Sequence, residues 1–105
     1  MSLVSVYCVF GSAGEAERIG RLVVEERLAA CINILGPCRS IYRWQGKVEQ
    51  ADEVPAILKT NAAGAERLVS RLAALHGYEV PAIAVWPITA ADPAYAAWVK
   101  AEVAA

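Results

Sequence analysis

Two side chains of this sequence are the leading candidates for soft-metal ligands: the thiol of Cys8, one of three cysteines, and the imidazole of His76, the only histidine in the chain. A thiolate is the ligand that Cu(I) prefers, and a neutral imidazole binds copper or zinc. Glu79, three residues after His76, offers a carboxylate as a weaker third candidate. No Cys-x-x-Cys pair and no second histidine occur, so the spacing does not predict a closed four-ligand zinc site within one chain.

Cys8 and His76 each have a structural interpretation as well. Cys8 shares one face of a predicted strand with Val4, Val6 and Phe10. This position is typical of a buried core thiol. His76 lies where a helix should end, and an imidazole there can interact with the last helical carbonyls. Sequence alone leaves both interpretations open.

A second group of residues mixes aromatic rings with charges. Its members are Tyr42, Trp44, Lys59, Tyr78, Glu79 and Trp98. Polar groups that converge in an apolar cleft are typical of a ligand site, whereas aromatic rings are equally typical of subunit interfaces. We predict that this group forms an interface, and a ligand in a cleft between subunits is the alternative.

The first sixty residues read as strand, helix and a long hairpin. The patterns predict a strand over residues 3–10, a helix from the Ser12–Glu15 capping box to about Ala30, a strand over 31–44, and another over 47–60. Gly36 and Pro37 interrupt the second strand, because proline cannot donate to a sheet ladder. Gln45 and Gly46 form the predicted turn between the two long arms.

The patterns after residue 60 predict a second helix, a strand and a terminal helix. Asn61 should cap the second helix, which should end at His76 with Gly77 in the left-handed closing position. Its predicted inward side chains are Leu68, Val69, Leu72 and Leu75. A strand follows over residues 81–88, and Asp92 with Pro93 should begin the last helix.

This order, β-α-β-β-α-β plus a terminal helix, predicts an α+β fold of the ferredoxin-like type, with two helices covering one face of an antiparallel sheet. Each arm of the long hairpin has about fourteen residues and would reach roughly 45 Å if straight. A globule of this length has a diameter of only about 33 Å. The tip should therefore project and, with Ile41, Tyr42, Trp44 and Val48 exposed, should pack against another copy of the chain.

Composition excludes several classes of protein. The chain has 105 residues, a net charge of −1 and 57% hydrophobic residues, which predicts one domain over 1–105 with apolar surface to bury in an oligomer. Without clustered basic residues, we expect no nucleic-acid or membrane partner. Three cysteines, an odd number without a secretory signal, predict reduced thiols and a cytoplasmic location.

Enzymatic activity is not expected. The sequence has no G-x-S-x-G, Walker or H-E-x-x-H motif. The loop after the first strand, "FGSAGE", lacks the arginine that acylphosphatase-like chemistry would need to cradle a phosphate. A shared fold by itself would license no such activity.

Several segments resemble, in order and spacing, the CutA family of divalent-cation tolerance proteins. The segments are "ERLAACINI", "SIYRWQGKVEQADEV", "ILKT", "LHGYEVPAI" and "DPAYAAWV", and the likeness covers about residues 3 to 99. The combination of "AAC", "YxWxGK" and "HxYExP" is more specific than any one of them. The resemblance implies a ferredoxin-like fold assembled as a homotrimer, with hairpins interleaved between subunits.

The resemblance also implies copper or other divalent-cation binding through Cys8 and His76. Leu75 and Gly77 depart from the family pattern, which has a second histidine in some members and a proline, respectively, at these positions. We therefore expect a cytoplasmic homotrimer that binds copper or another divalent cation, or holds none tightly, in metal-ion tolerance or response. The alternative is a non-enzymatic trimeric scaffold or signalling module that binds a small ligand or partner between subunits.

Overall fold

The computed structural model describes residues 2–104, and an antiparallel sheet forms its centre. The strands are β1 (Leu3–Phe10), β2 (Cys31–Ile34), β3 (Cys38–Trp44), β4 (Lys47–Asn61) and β5 (Ile83–Pro87). The helices are α1 (Ala13–Glu25), α2 (Ala65–Leu75), which follows a short 3-10 turn at Ala62–Gly64, and α3 (Pro93–Glu102). The predicted ferredoxin-like order of elements, with a C-terminal helix, is confirmed.

Strand β4 organises the sheet because it pairs with three others. Its inner half lies between β1 and β2, and β5 flanks β1, so the order is β2-β4-β1-β5. Its outer half pairs only with β3, from Cys38 opposite Glu53 to Trp44 opposite Lys47. The break at Gly36 and Pro37 separates β2 from β3, as the sequence predicts.

The β3–β4 hairpin extends beyond the body of the protein. Gln45 (φ 50) and Gly46 (φ 81) both adopt the left-handed conformation, which is the backbone of a two-residue hairpin turn. The protein measures 44 × 25 × 23 Å along its principal axes. Ile41 and Val48, on one face of the hairpin, are 68% and 64% exposed, so the predicted projection of an apolar ribbon is confirmed.

The main core lies between the sheet and helices α1 and α2. The predicted inward face of β1 is buried, with Val6, Cys8 and Phe10 fully inaccessible. Leu68 and Leu72 of α2 are also fully buried against this face. Helix α3 covers one end of the opposite face through a smaller cluster of Leu3, Ala30, Val99 and Val103.

Three details at the helix termini differ from the sequence prediction. The side chain of Asn61 accepts from the N–H of Gly64 at 2.7 Å and so caps the short 3-10 turn, whereas the residue that precedes α2 itself is Gly64. Helix α1 ends at Glu25 and not near Ala30, because Arg27 turns the chain with a left-handed φ of 62. The Arg27 guanidinium there donates to the carbonyl oxygens of Ala101 (2.7 Å) and Glu102 (3.0 Å), which ties this turn to the end of α3. Helix α2 ends with His76 in an extended conformation, so the left-handed role predicted for Gly77 is wrong.

No helix within residues 2–104 is both long enough and apolar enough to span a lipid bilayer.

Candidate functional site

Cys8 is a core residue in this structure. It lies in β1 opposite Ala56 of β4 and Ile83 of β5, and its side chain is inaccessible to solvent. Burial, and then the negative charge of Glu15, raises the pKa of the Cys8 thiol from 9.0 to about 12. The thiol is therefore protonated at neutral pH, whereas a metal ion binds the thiolate.

The imidazole of His76 is buried and uses both ring nitrogens. Nε2 lies 2.7 Å from the carbonyl oxygen of Val9, and Nδ1 accepts from the backbone N–H of Tyr78 at 3.0 Å. Because a carbonyl only accepts, these contacts assign the proton to Nε2. The ring also stacks on Phe10, with centroids 5.2 Å apart. His76 thus fastens the start of the 77–82 segment to the end of β1.

The candidate metal ligands converge only in part. His76 bonds to the residue that follows Cys8, so both lie at the same end of β1. Glu79 is exposed and lines a groove on the surface. Within residues 2–104, no three His, Cys, Asp or Glu side chains are placed to hold a metal ion together. The donor types suit a soft metal, but their arrangement does not form a ready site.

The carboxylate of Glu15 also connects the chain just after β1 to the start of the 77–82 segment. Ser12 caps α1 by accepting from the N–H of Glu15 at 3.1 Å, as predicted. The Glu15 side chain, however, accepts from the N–H of Gly11 at 3.0 Å and from that of Gly77 at 2.8 Å, and not from the cap residue itself. It therefore links the β1–α1 loop to the loop after α2, which the capping-box pattern did not predict.

We expect Glu15→Ala to lower the free energy of unfolding by about 1–2 kcal/mol, because two backbone amides lose a charged acceptor. Glu15→Gln should fall between, since its amide retains one acceptor oxygen. Urea unfolding at fixed protein concentration measures both effects. Glu17→Ala, an exposed change on the same helix, is the control. Equal stability of the Glu15→Ala and Glu17→Ala variants would contradict this role.

A groove of about 740 Å³ lies between the hairpin and the 77–82 segment. Its principal side chains are those of Tyr42, Trp44, Glu49, Glu53, Tyr78 and Glu79. The Tyr78 hydroxyl donates to Glu53 Oε2 at 2.8 Å and so bridges the two walls. Burial and this bond raise the pKa of Tyr78 to about 12. Sequence reasoning brought Tyr42, Trp44, Tyr78 and Glu79 together but missed the two hairpin carboxylates.

Lys59 and Trp98, the other members of the predicted cleft group, lie elsewhere. Lys59 is opposite Cys31 and Ser5 on the sheet face that α3 partly covers. Trp98 stacks on Tyr95 of α3, with centroids 5.9 Å apart. Within a single chain, the predicted group therefore divides into a groove set and an α3-side set.

The fold and the groove define a small α+β protein of the ferredoxin-like class with an extended hairpin. A family model described as CutA1 divalent ion tolerance protein matches residues 4–102. This chain belongs to that family. The divalent-cation tolerance protein CutA of Thermus thermophilus is 42% identical over 85 residues, which are 81% of this chain and 82% of that protein.

Two further comparisons agree. The divalent-cation tolerance protein CutA of Pectobacterium atrosepticum is 34% identical over 98 residues, 93% of this chain and 89% of that protein. The crystal structure of CutA from Xylella fastidiosa superimposes with a TM-score of 0.95 at 35% identity, covering 99% of this chain and 100% of that one. The predicted family and fold are thereby confirmed.

Proposed function

We propose that this protein acts in divalent-metal tolerance or response as a homotrimer that binds copper or another divalent cation. The match of residues 4–102 to the divalent ion tolerance family carries this proposal. Cys8 and His76 are the proposed protein donors. Because the Cys8 thiol is buried and both nitrogens of His76 are already engaged, we expect binding that competes with these contacts and holds no ion tightly.

The exposed hairpin supports assembly into a trimer. Ile41 and Val48 on one of its faces and Tyr42 and Trp44 on the other are large apolar side chains at the surface of the isolated chain. Their burial between copies would remove the aggregation hazard of an apolar edge. We further propose a cytoplasmic location, supported by three free cysteines, and a non-enzymatic role, supported by the lack of a catalytic motif in the sequence.

Calorimetric titration of the reduced protein with Cu(I) and Cu(II) tests metal binding. We expect saturable binding that Cys8→Ser and His76→Ala both abolish, while Cys38→Ser, at the base of the hairpin, leaves it intact. Circular dichroism and gel filtration of each variant separate lost ligation from lost fold. Unchanged binding in both folded variants would overturn the assignment of Cys8 and His76 and leave them with their core and positioning roles.

A second candidate is a trimeric scaffold or signalling module that binds a small ligand or partner. The observation that favours it is the groove, whose volume of about 740 Å³ lies within the range of roughly 300–1,000 Å³ for small-molecule sites. Metal binding would then be incidental to its role.

A further inference from the structure

We infer that the hydroxyl group of Tyr78 fixes the direction of the hairpin before assembly, which makes Tyr78 a positioning residue for the contact with a second copy of the chain. This inference rests on the proposed homotrimer and names the intrachain contact that prepares its hairpin. Three features of the structure carry it: a weak joint at the base of the hairpin, one hydrogen bond across that joint, and a rigid support for the donor of that bond.

The joint lies where the wide sheet narrows to two strands. Strand β1 ends opposite Val54 and β2 ends opposite Ala56, so from Glu53 outward β4 pairs only with β3. Gly36 and Pro37 separate β3 from β2, and therefore one continuous strand, β4, carries the ladder across the joint. Two-stranded ribbons twist more than wide sheets do. Strand pairing alone therefore leaves the direction of the hairpin loosely determined.

A single side-chain hydrogen bond crosses this joint. The Tyr78 hydroxyl donates to Glu53 Oε2 at 2.8 Å, and Glu53 is the residue at which the two-stranded part of β4 begins. Within residues 2–104, no other side-chain hydrogen bond or ion pair joins residues 38–53 to the remainder of the protein, since the ion pair found in the hairpin lies wholly within it. A charged acceptor makes this bond stronger than one between neutral groups. The bond therefore restrains the hairpin at its base.

The body of the protein holds the donor rigidly. The N–H of Tyr78 donates to His76 Nδ1 at 3.0 Å, and its ring lies against the imidazole with centroids 4.9 Å apart. His76 is in turn bonded to the carbonyl oxygen of Val9, near the end of β1. Gly11 permits this placement of the ring, because a Cβ there would lie 3.1 Å from the Tyr78 hydroxyl oxygen and 3.4 Å from Cε1. The position of the hydroxyl is therefore set by β1 and not by the hairpin.

A small change of direction at the joint becomes a large displacement at the tip. Lys47, which follows the turn, lies about 20 Å from Glu53 along β4 at the usual rise of a strand. A bend of about 15° at Glu53 would therefore move the tip by roughly 5 Å, as much as the spacing between paired strands. Tyr42 and Trp44, which the proposed trimer buries between copies, would then miss their contacts. Because only subunits with a correctly directed hairpin can associate, association slows in proportion to their fraction.

Tyr78→Phe tests the inference, since it removes the hydroxyl and keeps the ring. When the urea-unfolded protein is refolded by dilution, circular dichroism follows subunit folding, and light scattering at several protein concentrations follows assembly. We expect unchanged subunit folding and an association rate constant about fivefold below that of the wild type, because fewer subunits present a correctly directed hairpin. Exchange of subunits between isotope-labelled and unlabelled trimers, measured by native mass spectrometry, should proceed at the wild-type rate. A hydroxyl that served only as a contact between copies would instead speed this exchange.

Substitutions at Glu53 test the same bond from its other end. Glu53→Ala should slow association about as much as Tyr78→Phe, and the double variant should be no slower than either, because all three lack the same bond. Glu53→Gln keeps an acceptor oxygen and should retain roughly half or more of the wild-type rate. Tyr95→Phe is the matched control: it removes a tyrosine hydroxyl that contacts Cys31 of β2 at 3.7 Å, outside the hairpin, and should leave the rate unchanged.

The outcomes separate this inference from the proposal on which it rests. A wild-type protein that stays monomeric after refolding would refute the homotrimer and the inference together. If the wild type assembles and Tyr78→Phe associates at the same rate, the homotrimer stands and the inference fails. Faster subunit exchange without slower association would make the hydroxyl an intersubunit contact, which also refutes the inference. An equal slowing by Tyr95→Phe would do the same, because the effect would not belong to the bond with Glu53.

Discussion

Deletion of residues 42–48 is expected to convert the proposed trimer into a monomer or an aggregate. The deletion removes Tyr42, Trp44 and Val48, the large exposed apolar side chains nearest the hairpin tip. It leaves the inner half of β4 paired with β1 and β2, so the subunit core should persist. Light scattering after gel filtration measures the change, which should be complete at micromolar protein concentration.

Gln45→Asn is the matched control for the deletion. Asparagine tolerates the left-handed φ of 50 observed at Gln45 and is the preferred residue before glycine in such a turn. This variant should assemble like the wild type. A stable trimer after the deletion would refute the role of the hairpin in assembly, and a monomeric wild-type protein would refute the trimer itself.

Gly20→Val is expected to lower the free energy of unfolding by about 2–3 kcal/mol, because it overpacks the contact between α1 and β2. A Cβ atom at Gly20 would lie 2.6 Å from Ile32 Cδ1 and 3.0 Å from Ile32 Cγ2. Rotation about χ2 of Ile32 moves Cδ1 alone, whereas moving Cγ2 requires a change in χ1, which is restricted in a β-branched residue. The added methyl groups of valine therefore require the helix or the strand to shift.

The same substitution at Gly14 controls for the loss of glycine in helix α1. No atom lies within 4 Å of a Cβ placed there, so Gly14→Val should stay within about 0.5 kcal/mol of the wild type. Chemical denaturation at equal protein concentration measures both variants, because assembly couples stability to concentration. Similar stabilities for the two variants would show that Ile32 accommodates the bulk and that the contact is loose.

The sequence predicts the elements whose hydrophobic period is strong and local. Strand β1 is a short run of β-forming residues whose predicted inward face is buried, and the caps at Ser12 and Asp92 lie where their side chains accept from the expected amides. The end of α1 could not be predicted, because an arginine in the left-handed conformation carries no sequence signal. Arg27 is compensated by bonds to α3, about 75 residues away in sequence.

The candidate site, likewise, could be predicted from the sequence only in part. Once Gln45-Gly46 is taken as a two-residue turn, pairing outward from it places Glu49 opposite Tyr42 and Glu53 opposite Cys38, so the hairpin half of the groove could have been derived. The other half of the groove, formed by the 77–82 segment, could not be derived in this way. The approach of Tyr78 to Glu53 and of His76 to the Val9 carbonyl depends on how α2 packs on the sheet. The trimer and the metal ligands remain predictions.

His76 and Glu15 hold the start of the 77–82 segment through hydrogen bonds, and this restraint has an entropic consequence. The first residues of the segment are held at the Gly77 and Tyr78 amides and at the Tyr78 hydroxyl. A loop immobilised in this way has already lost its conformational freedom during folding. A molecule that enters the adjoining groove therefore does not have to order this wall, and preorganisation of this kind raises affinity without adding a contact.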